Sequence, residues 1–269
     1  MSLSAVLFLF LAHLGLGIAF TLVLVSRGAG VKFFRFNAGL SVILIAIALA
    51  FRYQAAGDDN SWSRAAVALL VVAEAALVMY WATVGRMLAR IRPAIVAVAV
   101  AAGMAAIVLQ ALGVSAGWTV PARTLTVASF VSSAALLGGA CTAMILGHWY
   151  LVIPSMAVSH LQAIVKVHIA TMILRVAVVV AAVFVAIATW QPGTGPSFRY
   201  YITSVSGIFF WQRVLFGLAG PALLSYLTWE TAKIRSTQSA TGILYVDFFT
   251  VVVGEVLAKY IVLATRVPV

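Results

Sequence analysis

Eight apolar runs, separated by short charged or Pro/Gly-containing turns, fill almost the whole chain. A helix needs about 20 apolar residues to cross a bilayer core about 30 Å thick, and a helix satisfies its own backbone hydrogen bonds in lipid. The runs cover residues 3–26, 37–56, 65–85, 94–114, 124–153, 167–190, 201–229 and 241–265. The sequence therefore predicts an all-α fold, a polytopic membrane helix bundle of about eight transmembrane helices that forms one domain over residues 1–269.

The charge of the chain fits a membrane protein and leaves no room for a soluble domain. Only 9% of the residues are charged, whereas an ordinary soluble domain has about 25%. A net charge of +11 would favour a nucleic-acid partner in a soluble protein. Here it is explained by Lys and Arg in the cytoplasmic loops of a membrane protein, so lipid is the expected partner and nucleic acid is not.

The distribution of charge predicts the orientation of the helices. Turns after odd-numbered runs carry nine basic residues, namely Arg27, Lys32, Arg35, Arg86, Arg90, Arg92, Lys166, Lys233 and Arg235. The opposite side carries four, Arg64, Arg123, Arg199 and Arg266, together with Asp58 and Asp59. Positive charge collects on the cytoplasmic side. We therefore expect both termini on the outer side of a bacterial-type cytoplasmic membrane. No basic residue precedes the first run, which predicts a retained helix rather than a signal peptide.

His13 lies near the middle of the first run, within Ala-His-Leu-Gly-Leu-Gly at 12–17. Ionisable groups at this depth are costly and usually functional. An imidazole can hydrogen-bond a quinone carbonyl and relay its proton, because its charge changes near physiological pH. His13, with Glu74 close by in the bundle, is therefore the predicted proton-handling quinone contact. The alternative is a buried histidine satisfied by a neighbouring serine or backbone carbonyl.

Other charges inside the apolar runs are expected to pair. Arg213 and either Glu255 or Glu74 could reach the same depth, and Glu255 and Lys259 are neighbours one helical turn apart. Two interpretations remain open for these groups. They either fix the register of the helices as buried pairs, or supply carboxylates to a proton path.

Three histidines, His148, His160 and His168, surround one turn and predict a second polar site. If the fifth and sixth helices are antiparallel neighbours, His148 and His168 would lie at similar depth. Facing imidazoles are suitable axial ligands for haem b, so this pair is the candidate metal-ligating set. Arg175, one to two turns from His168, could hold haem propionates or another anionic ligand. The alternatives are a quinone contact or histidines that cap helix ends.

Motifs for other chemistries are missing from the sequence. It has no Walker loop, GxGxxG, HExxH or GxSxG, so hydrolytic catalysis is not expected. It has no C-x-x-C-H for covalent haem attachment, and its single cysteine, Cys141, cannot form an internal disulfide.

Two parts of the chain resemble the NrfD-like family, the eight-helix membrane anchors of dimethyl sulfoxide and polysulfide reductases. The first is Ala12 to Gly17, which places a histidine on a glycine-containing first helix. The second is Trp211-Gln212-Arg213 with Gly254-Glu255 and Lys259, which resembles a WR…GE…R pattern in the last two helices. Together they cover about a quarter of the chain. The resemblance implies electron exchange between quinone and an attached iron–sulfur and molybdenum module, and it does not require the His148–His168 cluster.

The leading hypothesis from the sequence is a membrane subunit of a respiratory electron-transfer complex. It would exchange electrons and protons with menaquinone or ubiquinone, with haem b as a candidate cofactor, and would be quinone-reactive or non-catalytic within an oxidoreductase. An extramembrane redox subunit of iron–sulfur, molybdopterin or cytochrome type would be its partner. The alternatives are a small-ion or metal transporter whose path is lined by His160, His168 and Glu255, and a non-catalytic assembly subunit.

Overall fold

A computed structural model describes residues 2–54, 60–153, 156–190 and 197–269. Asp58 and Asp59, used above to predict the orientation, lie outside the described residues. The described part of the chain consists of helices and turns without a strand. The predicted all-α class is confirmed.

Ten α-helices follow one another along the described chain, and eight segments are long and apolar enough to cross a membrane. The helices are α1 Leu3–Leu22, α2 Val31–Gln54, α3 Ser61–Thr83, α4 Arg92–Val114, α5 Val120–Val152, α6 Ser159–Ala188, α7 Phe198–Thr203, α8 Ile208–Val214, α9 Gly220–Lys233 and α10 Thr237–Thr265. The membrane-spanning segments are α1 to α6, the compound segment Val205–Lys233 and α10. The predicted number of spans is therefore confirmed.

Local chemistry explains where several helices begin. The Asn60 side chain accepts a hydrogen bond from the backbone N–H of Ser63 at 2.8 Å, which caps the start of α3. Pro93 and Pro121 lie in the first turns of α4 and α5, where a missing backbone N–H costs nothing. These signals place the helix starts within a few residues of the predicted boundaries.

The seventh span, predicted as one long run over 201–229 that Pro221 breaks, is divided at more than one place. A 3-10 turn at Val205–Gly207 precedes α8, and a π-helical turn at Leu215–Ala219 joins α8 to α9. Pro221 at the start of α9 has no N–H for a helical hydrogen bond. The π turn brings Gly217 against Gly254 of α10, so the irregularity lies at a close helix crossing.

Helices α1 and α5 form the buried centre of the bundle. Helix α1 packs mainly on α2 and α5, and α5 also packs on α6 and α10. Gly17 and Gly138 let the backbones of α1 and α5 meet, because a Cβ on either glycine would collide with the other helix. Glycine at such a crossing permits close approach in membrane helices.

The sixth helix begins at Ser159, eight residues before the predicted start at 167. His160 and His168 therefore lie in one continuous helix.

Candidate functional site

Four ionisable side chains meet inside the bundle: Arg175 of α6, Arg213 of α8, and Glu255 and Lys259 of α10. We call them the charge cluster. Each is at most 1% exposed. Arg175 donates two parallel hydrogen bonds to Glu255, Nε to Oε1 at 2.9 Å and Nη2 to Oε2 at 3.1 Å. Arg213 Nη2 donates to the same Oε1 at 2.8 Å. Of the two predicted pairings of Arg213, the structure forms the one with Glu255.

Further contacts offset the cost of burying Arg175. Its Nη1 donates to the carbonyl oxygen and the hydroxyl of Ser129, at 3.2 Å and 2.8 Å. Its Nη2 also donates to the carbonyl oxygen of Val269 at 3.3 Å. A buried ion pair is stable only when such additional bonds satisfy its remaining donors. The guanidinium of Arg175 is therefore occupied within the charge cluster. The sequence had predicted that it would bind haem propionates or another anionic ligand near His168.

Lys259 extends the charge cluster toward the centre of the bundle. Its Nζ donates to Ser133 Oγ at 2.7 Å and lies 4.8 Å from the ring centre of Phe130. The cluster thus contains three cationic side chains and one carboxylate. Lysine is the one cation of the three that can lose its proton in a protein, because a guanidinium stays charged.

His13 contacts the same Phe130 ring as Lys259 does. The two ring centres are 4.9 Å apart in an edge-to-face arrangement. His13 Nε2 is 3.2 Å from Gln110 Oε1 of α4. Both residues are buried, and His13 Nδ1 and Gln110 Nε2 have no hydrogen-bond partner among the described residues. Because Phe130 touches both His13 and Lys259, it connects the histidine to the charge cluster.

An open cavity of about 950 Å³ reaches Gln110 from one end of the bundle. It lies where α1 and α3 begin and where α4 and α10 end, and we call this end the cavity side. Apolar residues such as Phe8, Leu9 and Trp118 share its lining with Arg266 and Arg52. Gln110 therefore links the cavity to the buried His13.

Glu74 does not join either group. It lies half-buried on α3, whose main packing partners are α4 and α2. His13 bonds Gln110 of α4 instead. The predicted association of His13 with Glu74 is therefore not found, because α3 packs away from the charge cluster.

The structure also does not bring His148 and His168 together. His148 is exposed, and its Nδ1 is 2.9 Å from the Tyr245 hydroxyl. His168 is fully buried and lies beside Gly139 of α5. Gly139 precedes His148 by nine residues, about 14 Å along a helix at 1.5 Å per residue. The two imidazoles therefore differ in depth, contrary to the expectation from the short turn.

His160 has a third environment. Its ring abuts Gly28 in the turn after α1, since a Cβ on Gly28 would lie 2.7 Å from His160 Nε2. None of its contacts joins it to His168 or Glu255, so His160 does not take part in the transporter path predicted through His160, His168 and Glu255.

His148 and His168 do not fit as the two axial ligands of one haem or as joint ligands of one metal, because they lie at different depths. No group of three or more His, Cys, Asp or Glu side chains within the described ranges could hold a metal ion.

The partner of His168 is Asp247 of α10, which sequence reasoning missed. The Nε2 to Oδ2 distance is 2.6 Å, and both side chains are fully buried. A carboxylate in an apolar helix eight residues before Glu255 was the available signal.

Gln110 was missed for a different reason. An uncharged amide within an apolar helix is a weak sequence signal, and it becomes informative only when the helix packing places it between His13 and the cavity.

Comparison with known proteins adds no relative. No known protein family model, curated protein sequence or solved structure matches this chain. The resemblance to the NrfD-like family accordingly stays a prediction, and the chain is described by what its structure supports: a helical membrane protein with a buried charge cluster beside a polar cavity.

Proposed function

We propose that this chain is the membrane subunit of an electron-transfer complex and binds quinone in the cavity that ends at Gln110. The contact between Gln110 and His13 is the observation that carries this proposal. It places a buried imidazole one side chain away from a space open to the membrane edge.

The free hydrogen-bonding atoms suit a quinone head group. Gln110 Nε2 is a donor without a partner among the described residues, and an amide N–H can bond a quinone carbonyl. Reduction of each carbonyl to a hydroxyl requires a proton. His13 can supply or accept that proton, because a neutral imidazole carries a donor nitrogen and an acceptor nitrogen.

The size of the cavity fits the same ligand class. Small-molecule sites usually have volumes of about 300–1,000 Å³, and the lining of this cavity combines polar and apolar residues. At about 950 Å³, this cavity could admit an aromatic head group and part of an isoprenoid tail. Phe8, Leu9 and Trp118 would contact its apolar parts.

The charge cluster would assist the chemistry electrostatically. Partially reduced quinones carry negative charge, and fixed positive charge in a water-poor interior stabilises such species. Lys259, which shares the Phe130 ring with His13, is the nearest such charge by its contacts.

Electrons would come from or go to a partner protein. The described chain is helical and membrane-spanning, which supports an anchoring role for an extramembrane redox subunit of iron–sulfur, molybdopterin or cytochrome type. The resemblance of the His13 and Arg213–Glu255 segments to NrfD-like anchors favours the same role. We propose a bacterial-type cytoplasmic membrane as the location.

Quinone binding can be measured directly with the purified protein. Titration of a short-chain ubiquinone or menaquinone analogue should quench tryptophan fluorescence, because Trp118 lines the cavity. Gln110→Leu removes the amide at similar size and should raise the Kd about tenfold, the equivalent of one hydrogen bond of about 1.4 kcal/mol.

His148→Gln is the matched control, since His148 is exposed and lies outside the cavity. Its Kd should equal that of the unmodified protein. An unchanged Kd in both Gln110→Leu and His13→Leu would rule out this site.

A further inference from the structure

The buried ionisable groups form a column that continues well beyond His13. On α10, Lys259, Glu255 and Asp247 are spaced by four and eight residues, and all are buried. On α6, His168 and Arg175 are seven residues apart, about two helical turns. The pairs Arg175–Glu255 and His168–Asp247 therefore join the same two helices at successive levels.

The column extends from the cavity toward the opposite end of the bundle. From Lys259 to Asp247, α10 rises about 18 Å at 1.5 Å per residue. The cavity continues from there to the end of the same helix, since its lining includes Val262, Leu263 and Arg266. Cavity and column together follow α10 for about 29 Å between Asp247 and Arg266, close to the thickness of a bilayer core of about 30 Å.

The far end of the column lies near the opposite membrane surface. Lys166 is exposed and only two residues from His168, a difference in height of about 3 Å. Its Nζ lies 5.2 Å from the ring centre of Trp229, which also contacts Lys233. Exposed lysines and tryptophans of this kind mark the interface. His168 is thus buried among helices but lies at nearly the same height as this exposed lysine.

We propose that these groups conduct protons across the membrane, with His168 and Asp247 as the proton-exchanging site at the side opposite the cavity. The path runs from this pair past Glu255 to Lys259 and His13, and ends at Gln110 in the cavity. It goes beyond quinone binding and does not depend on it.

The atoms of the His168–Asp247 pair permit a balanced transfer. His168 Nε2 and Asp247 Oδ2 lie 2.6 Å apart, close enough for an ion pair but without the geometry of a hydrogen bond, and His168 Nδ1 and Asp247 Oδ1 have no hydrogen-bond partner among the described residues. An incoming proton adds to Nδ1 while the proton on Nε2 passes to Asp247 Oδ2. Asp247 then releases its proton toward the charge cluster, and the imidazole returns to its first tautomer by losing the Nδ1 proton to water and taking up a proton at Nε2 from water.

Lys259 is suited to the next transfer. It can release its proton, unlike Arg175 and Arg213. His13, which contacts the same Phe130 ring, can then receive a proton and pass it to water in the cavity. Ser133 and Ser129 provide hydroxyl groups along this stretch of α5.

The polar groups next to the pair form their hydrogen bonds with its backbone and not with its side chains. Gly139 of α5 lies against the His168 ring, and Thr171 of α6 donates its hydroxyl to the His168 carbonyl oxygen rather than to the ring. On α10, Thr250 likewise donates to the backbone oxygen of Asp247. The nearest charged groups on these helices are Lys166 toward the surface, and Arg175 and Glu255 toward the centre.

The test is proton flux in liposomes that contain the purified full-length protein and an internal pH-sensitive dye. A potassium gradient with valinomycin drives protons, and no quinone is added. The protein should conduct protons faster than protein-free liposomes. Asp247→Asn and His168→Gln should each reduce the protein-dependent rate at least tenfold, and Asp247→Glu should restore part of it.

His148→Gln is the matched control, because this histidine is exposed and outside the column; its rate should be unchanged. Reconstituted amounts and thermal melting identify a variant that fails to fold, in which case the other variant decides. Flux no faster than in protein-free liposomes would overturn the proposal, as would full flux in the folded variants. Neither result bears on the Kd for quinone, which is measured separately.

Discussion

At the scale of single residues, Glu255 holds three helices together. Its carboxylate accepts three hydrogen bonds from Arg175 of α6 and Arg213 of α8, while it is itself part of α10. Loss of this one negative charge would leave two buried guanidinium groups without a counter-charge. An unpaired buried charge costs far more than an intact pair contributes.

Glu255→Gln should therefore lower the free energy of unfolding by about 3–5 kcal/mol. Unfolding in mixed micelles of increasing SDS fraction measures this change. Glu230→Gln is the control, because Glu230 is 43% exposed in its pair with Lys233 and such pairs contribute at most about 1 kcal/mol. Equal losses in the two variants would contradict the role assigned to Glu255.

The sequence predicted which residues are costly but only part of their pairing. His13, Arg213 and Glu255 are conspicuous because ionisable groups are rare in apolar runs, and the Arg213–Glu255 pair follows from their depth. Depth along a helix does not determine which helix lies opposite. For that reason the sequence could not decide whether Arg213 pairs with Glu255 or with Glu74, which was expected at a similar depth on α3.

At the scale of helices, the crossing of α1 and α5 depends on two glycines. Gly138 faces the backbone of Gly17, and a Cβ on Gly138 would collide with backbone atoms, which cannot rotate away. The two helices would have to separate to accept a methyl group. His13 and Phe130 lie on these same two helices, so their contact depends on this crossing.

Gly138→Ala should destabilise the protein by about 1–3 kcal/mol, the usual cost of overpacking, and should weaken quinone binding as α1 shifts. Gly242→Ala is the matched control, because nothing lies within 4 Å of a Cβ at this helical position. It should be neutral or more stable by up to about 1 kcal/mol. SDS unfolding of both variants makes the comparison, and a Gly138→Ala protein as stable as Gly242→Ala would contradict the close crossing.

Helix interruptions were predictable only in part. The break before α8 and the π-helical turn at Leu215–Ala219 fall within a continuous apolar run, and apolar patterning does not distinguish α from π geometry. Pro221 is the local signal. The other irregularities of this segment accompany two tertiary contacts, the approach of Gly217 to Gly254 and the ion pair of Arg213 with Glu255.

At the scale of the whole molecule, charge is distributed unevenly between the two ends of the bundle. The end opposite the cavity carries nine basic residues, against five at the cavity side when Arg52 in the cavity lining is counted with Arg64, Arg123, Arg199 and Arg266. By the positive-inside rule we expect the cavity to open toward the outer side.

Single cysteines in a Cys141→Ala background test this orientation. Arg90→Cys and Ala116→Cys both place the thiol at exposed turn positions at opposite ends. A membrane-impermeant maleimide should label Ala116→Cys in intact cells and Arg90→Cys only after lysis. The reverse pattern would contradict the predicted orientation.

The overall class was predictable because lipid permits few backbone arrangements, whereas the cavity was not. It is lined by the ends of five helices, α1 to α4 and α10. No local sequence pattern determines which helix ends meet. The position of Gln110 between His13 and the cavity therefore becomes apparent only in the packed bundle.

The most direct measurement of the central claim is photo-cross-linking with an azido-quinone, followed by mapping of the labelled peptides. Binding in the cavity predicts labels within residues 2–9, 110–118 and 262–266, suppressed by excess unmodified quinone and reduced in Gln110→Leu. Labels confined to lipid-exposed surfaces such as α6, or labels that excess quinone does not suppress, would contradict a quinone site beside His13.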